Sequence, residues 1–116
     1  MHETAAAQSI IQIVEAEADK LHKRPIRVRI SCGALNAVND EVMRFAFEAV
    51  GKGTITEGAA LEIRHVPLNG RCRACGERFE FDLDAAACTR CGGHEYTLEP
   101  DAALTLDEIE FEDDAA

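Results

Sequence analysis

Four of the chain's five cysteines stand at Cys72-x2-Cys75-x12-Cys88-x2-Cys91. Two residues between cysteines make a tight turn that aims both sulfurs at one point, each about 2.3 Å from a shared ion. Two such knuckles supply four soft ligands in a closed tetrahedral set, which suits Zn(II) best. An iron-sulfur or rubredoxin-like iron site and a dithiol redox centre compete for the same spacing. With every position taken by sulfur none is left for water, so the expected zinc is structural and not catalytic. Gly76 and Gly92 follow the second cysteine of each pair, where a knuckle often needs positive φ. A second stretch, Met1-His2-Glu3, sets an imidazole between a carboxylate and a chain-terminal amine. Taken alone, a His in that place is usually one more frayed terminal residue.

The elements that must carry these groups follow from the apolar periodicity. Residues 4–23 read as a helix, with Ala7, Ile11, Val14, Ala18 and Leu21 along one face, Ile10 and Ile13 widening it, and Pro25 ending it. "IRVRISC" alternates as a half-buried strand, with Ile26, Val28, Ile30 and Cys32 inward. Asn39 or Asp40 caps a second helix over about residues 40–50. Its expected buried face is Val42, Phe45, Ala46 and Ala49, and "GKG" at 51–53 stops it. "ALEIRHV" (60–66) is a second strand, and "RFEFDL" between the knuckles is a hairpin strand. "LTLDEIEF" (104–111) returns as a third strand whose apolar phase slips, which places a bulge near Asp107.

This order predicts an α+β fold: two helices packed on a small three-stranded sheet, with an inserted zinc-ribbon lobe. The expected organisation is a body of residues 1–66 plus 101–112, the lobe at 67–100, and an acidic tail at 113–116. Cys32 reads as a small buried hydrophobe. His65 and His94 flank the lobe and read as ordinary strand-end or turn residues, either of them within reach of the metal.

A net charge of −10 disfavours phosphate backbones and anionic membranes. No run approaches the roughly 18 apolar residues of a membrane span, and "MHETAAAQSI" has no secretory pattern. The cytoplasm is the expected location, and there cysteines serve as metal ligands more often than as disulfides. A zinc-ribbon adaptor binding a protein or nucleic acid is the alternative function. The lobe's arginines 71, 73, 78 and 90 are outnumbered by Glu77, Glu80, Asp82, Asp84 and Glu95, which is no basic stripe. An enzyme is not expected, because no nucleophile-base pairing and no phosphate-cradling glycine loop stand out.

"MHE", "AQSI", "RFAFE" (44–48), "GT" (53–54), "GAALEI" with "VP" (58–67) and the two knuckles occur in this order. The run resembles the HypA/HybF family of nickel-insertion proteins for [NiFe]-hydrogenase maturation. That resemblance implies a Ni(II) site at Met1, His2 and Glu3, and structural Zn(II) on Cys72, Cys75, Cys88 and Cys91. It further implies a HypB-type GTPase partner, delivery to the hydrogenase large subunit, and links to urease maturation proteins; a monomer and a homodimer are both compatible with the sequence. The chemistry agrees on its own terms. An amine, deprotonated backbone amides and an imidazole offer nitrogens in a plane, a geometry for Ni(II) or Cu(II). His2 should block removal of Met1, and nickel affinity should fall as pH drops through about 6.5, where a free imidazole protonates. Asn36 and Asn39 depart from the family's usual serine and acidic residue, which bears on whether this loop offers an outer carboxylate, and Asp101 stands where a glycine commonly starts the last strand.

Overall fold

In the computed structural model, residues 3–113 are described. They form α1 (Glu3–Leu21), β1 (Pro25–Gly33), α2 (Asp40–Gly51), β2 (Ala60–Val66), β3 (Asn69–Cys72), β4 (Arg78–Glu80), β5 (Tyr96–Leu98) and β6 (Thr105–Phe111). The chain divides into two compact units. One comprises residues 1–31, 38–64 and 105–116, and the other residues 32–37 and 65–104. The mixed α+β class with a four-cysteine lobe agrees with the expectation.

In the first unit α1 packs on α2 and touches β6. Ala7, Ile10, Ile11, Val14 and Ala18 bury one stripe of α1, while Ile13 and Leu21 are exposed. The helix is shorter than its periodicity suggested. His22 takes a left-handed φ of 53°, and this turn ends the helix three residues before Pro25. On α2 the expected face is corrected. Met43, Ala46 and Phe47 are buried, whereas Val42 and Phe45 are 49% and 75% exposed. Two apolar stripes run along α2 one residue apart, and α1 takes the one holding Met43. Gly51 still belongs to the helix, and a Cβ there would lie 3.6 Å from Ile11 Cδ1. The stop comes from Lys52 in an extended conformation, followed by Gly53 at φ 80°.

The sheet order is β2-β1-β6. Val28 and Ile30 face the core, but Ile26 is 44% exposed because the β1–β6 register skips between Pro25 and Arg27. The bulge near Asp107 is present: Arg29 pairs with Glu108 and Ile30 with Leu106, which leaves Asp107 unmatched. The outward face is a charge ladder. Arg27 meets Glu62 at 3.1 Å and Glu110 at 2.8 Å, and Arg29 meets Glu62 at 2.6 Å and Glu108 at 2.8 Å.

The second unit carries its own antiparallel sheet, β4-β3-β5. Sequence reading found β4, within the alternating RFEFDL, and missed β3 and β5. Phe79 meets Tyr96 edge to face with ring centroids 5.8 Å apart, and Phe81 lies 5.3 Å from the same ring. Gly70 makes room, since a Cβ there would come within 2.9 Å of Phe79 Cζ.

Candidate metal centre

The four predicted sulfurs converge. Their ligand atoms all lie within 4.8 Å of one another, with Cys72 Sγ 3.5 Å from Cys91 Sγ and Cys75 Sγ 3.7 Å from Cys88 Sγ. A tetrahedral ion with bonds of about 2.3 Å needs ligand separations of about 3.8 Å. A disulfide needs about 2.05 Å, so these are four thiols gathered around a point. Cys72 and Cys88 are buried, and Cys75 and Cys91 are exposed.

Local backbone explains the convergence. Gly76 and Gly92 take φ of 77° and 75°, as the knuckle spacing predicted. Each turn closes on its first cysteine, with Gly76 N–H donating to Cys72 O (3.0 Å) and Gly92 N–H to Cys88 O (2.9 Å). Backbone N–H groups also point at sulfur: Cys75 to Cys72 (3.5 Å), Arg90 to Cys88 (3.4 Å) and Gly93 to Cys91 (3.4 Å). Sequence reading missed these donors. The signal was the double glycine, since a Cβ at Gly93 would lie only 3.2 Å from Cys91 Sγ.

The titration follows the same asymmetry. The Cys75 N–H pulls the Cys72 thiol down to about 7, against the cost of burial. Cys88 is likewise lowered, chiefly by the backbone N–H of Cys91. For Cys75 the Glu77 N–H acts downward, but desolvation and its cysteine neighbours outweigh it and push the thiol up to about 12. Cys91 is raised too: the Gly93 N–H acts downward, and Cys72 with desolvation prevails. Four adjacent sulfurs thus resist full ionisation until a cation shares their charge. A dication of tetrahedral preference fits this donor set, and Zn(II) is the best match.

Among the described residues the cysteine cluster contains no histidine. Cys32 is fully buried, with Sγ 3.6 Å from His65 Nδ1. His94 Nδ1 lies 3.3 Å from Ala86 O. Asn36 and Asp101 turn out to be partners. One carboxylate oxygen, Asp101 Oδ2, accepts from Leu35 N–H (2.9 Å), Asn36 N–H (2.8 Å) and Asn36 Nδ2 (2.7 Å).

At the other predicted site, Met1 and His2 lie outside the described residues. Glu3 opens α1, and its Oε2 accepts the Asn39 N–H at 3.2 Å. Asn39 is also the N-cap of α2, its side chain accepting from Val42 N–H at 3.0 Å. In a capping box, the third residue of the helix reaches back to the cap's own N–H. Here that residue is Val42, which cannot, and Glu3 supplies the acceptor from the neighbouring helix.

These features define a small α+β protein with a four-cysteine lobe fit for a metal and no helix, among the described residues, long and apolar enough to cross a membrane. A family model described as "Hydrogenase/urease nickel incorporation, metallochaperone, hypA" matches residues 1–111. The chain therefore belongs to the HypA family. It is 41% identical over 93 residues to hydrogenase maturation factor HypA of Geotalea daltonii, covering 80% of this chain and 83% of that protein. It is 38% identical over 113 residues to the namesake from Bradyrhizobium sp. (strain ORS 278), covering 97% and 100%. The fold is shared with the solution structure of the Ni metallochaperone HypA from Helicobacter pylori, with a TM-score of 0.60, 24% identity, and 96% and 97% coverage.

Proposed function

We propose that the chain binds Ni(II) at Met1-His2-Glu3 and passes it on for maturation of [NiFe]-hydrogenase, while Cys72, Cys75, Cys88 and Cys91 hold structural Zn(II). The observation that carries this reading is a nickel-metallochaperone family match from the first residue through both knuckles. Nickel is cargo. His2 supplies the imidazole, Met1 the neighbouring nitrogens, and Glu3 a carboxylate whose Oε2 is already tied to α2. A site built from the first residues of the chain can yield its ion to a competing partner without opening the core. The zinc supplies cross-linking of the lobe and no turnover chemistry, so the protein is a carrier and not an enzyme. The recipients are a HypB-type GTPase and the hydrogenase large subunit in the cytoplasm, with urease maturation proteins a further outlet.

The test is a Ni(II) titration of zinc-loaded, tag-free protein, followed by calorimetry and d–d absorption. One nickel per chain, lost in His2→Ala, is the expected outcome. Extending the chain before Met1 separates two ligand sets: loss of binding makes the amine a ligand, and retention leaves ligation to His2 without it. Native protein that takes up no specific nickel would sink the proposal.

A further inference from the structure

β6 is an edge of the body sheet, and its two faces differ in kind. On the outward face Glu108 and Glu110 stand beside Arg29 and Arg27 and pair with them. Leu106 and Ile109 stand beside the buried Ile30 and Val28, and Phe111 follows two residues on, so all three turn to the helix side. They are only half-buried there, because α1 covers this margin of the sheet thinly. On α1, Ile13 borders the same gap and is itself 49% exposed.

The result is a groove of about 330 Å³ between α1 and β6. Ile13, Leu106, Ile109 and Phe111 give it an apolar lining, and its other lining residues are the acids Glu17, Asp107 and Glu108. Glu17 meets Lys20 at 3.4 Å, but both side chains are exposed, and such pairs contribute little. Asp107, the unmatched residue of the bulge, is exposed and joins no ion pair among the described residues.

Two properties select the occupant. An apolar lining with a rim of one sign is complementary to a segment whose apolar side chains are flanked by cations. A strand is a poor fit, because the Asp107 bulge interrupts the regular edge of β6. A helix needs no backbone partners and enters such a groove with side chains at steps of three and four. The chain's own helices do not qualify, since α1 and α2 each carry more acids than bases.

We propose that this groove docks a basic amphipathic helix of a partner protein. Its apolar stripe lies on Ile13, Ile109 and Phe111, and its flanking lysines or arginines face Glu17, Asp107 and Glu108. Apolar burial supplies the attraction, and the acidic rim sets orientation and speeds encounter. Nothing in this docking depends on the nickel reading.

The probe is a fluorescein-labelled model helix of leucine and lysine, with leucines at steps of three and four. Titrated with the zinc-loaded full chain at low salt, its anisotropy should saturate with a dissociation constant below about 1 mM. Amide shifts of the protein should concentrate at Ile13, Glu17 and Leu106 to Phe111. Asp107→Lys should weaken binding about fivefold, while Asp84→Lys, the same charge change on the lobe, should leave it unchanged. Ile13→Ser should weaken it about tenfold, and Phe45→Ser, at the most exposed apolar residue of α2, should not. Helical circular dichroism checks each variant, and should Ile13→Ser lose it, the two aspartate variants decide. Absence of saturation to about 1 mM overturns the proposal, as do shifts spread over the whole acidic surface. Equal effects of Asp107→Lys and Asp84→Lys, or equal binding of an all-lysine peptide, reduce the groove to a plain charge patch and overturn it too. Shifts at the groove that grow with protein concentration in the absence of peptide would give it to a second copy, against the proposal.

Discussion

The two units reach the folded state by different means. In the first, two helices and three strands enclose Ile10, Ile11, Val14, Val28, Ile30, Met43 and Phe47 in one apolar interior. In the second, the cluster around the knuckles is Cys72, Phe79 and Cys88, with Phe81 and Tyr96 packed at its side. Two of its three buried members belong to the four-cysteine cluster, so most of that interior is the candidate metal site itself. A unit of this size cannot offset its chain entropy from so little apolar surface. One unit is stabilised by burial, and the other is built to be stabilised by coordination at its four cysteines.

Metal removal is the sharpest way to break this contrast. Apparent binding energies of structural zinc run about 10–16 kcal/mol at neutral pH, far more than two aromatic contacts return. Stripping zinc with a chelator, or substituting Cys72→Ser, should melt β3–β5 and abolish the near-ultraviolet signal of Tyr96. The helical circular dichroism of α1 and α2 should survive. A lobe that keeps dispersed amide resonances without metal would overturn the assignment of roles.

Proton release sharpens the same point. Cys75, raised to about 12, and Cys91, also raised, are protonated at neutral pH before metal arrives. Cys72, near 7, is about half ionised, and Cys88 is lowered. Zinc binding at pH 7 should therefore expel about three protons, read by calorimetry in buffers of different ionisation enthalpy. The sign follows: thiolate is the binding form, so the lobe's metal-dependent stability is present above neutrality and is lost as pH falls. A release of one proton or none would mean that fewer than four thiolates ligate.

The complementary break is in the body. Ile11 is 2% exposed and packs where α2 has no side chain at Gly51. Ile11→Ala should cost about 2–5 kcal/mol, lowering the urea midpoint of the helical signal. Zinc affinity, set by the local knuckle turns, should not change. A matching loss of zinc affinity would show that the units fold as one.

The two regions also differed in how legible they were. The metal lobe was readable because Cys-x2-Cys and its following glycine encode a turn within four residues, and Gly76 and Gly92 do take positive φ. The bulge at Asp107 was visible as a slip in alternation. The body's helix faces were less so. On α2, Val42-Met43 and Phe45-Ala46-Phe47 offer two overlapping stripes, and only the position of α1 decides which is buried. Long-range polar links were invisible for a similar reason. Asn36 with Asp101, and Asn39 with Glu3, are 65 and 36 residues apart, and Asn36, Asp101 and Asn39 each looked like a departure from the family's usual residue. In the fold the first two are each other's partner, and Asn39 is a cap.

That cap yields the smallest effect in the series, and it divides into two parts. Asn39 does two things at the start of α2: its side chain takes the Val42 N–H, and its own N–H goes to Glu3. Asn39→Ala removes the first and keeps the second, and should cost about 1 kcal/mol of body stability. Glu3→Gln keeps an acceptor but removes a negative charge beside the N-terminal ends of α1 and α2, where each helix dipole favours one. It should cost about 0.3–1 kcal/mol, and less as salt is added. The Asn39→Ala loss should not depend on salt, since a neutral amide is being removed. Both should leave the zinc-dependent Tyr96 signal untouched. Equal salt dependence in the two variants would mean that the cap and the carboxylate act as one charged unit, and the separation drawn between them at Asn39 would have to be given up.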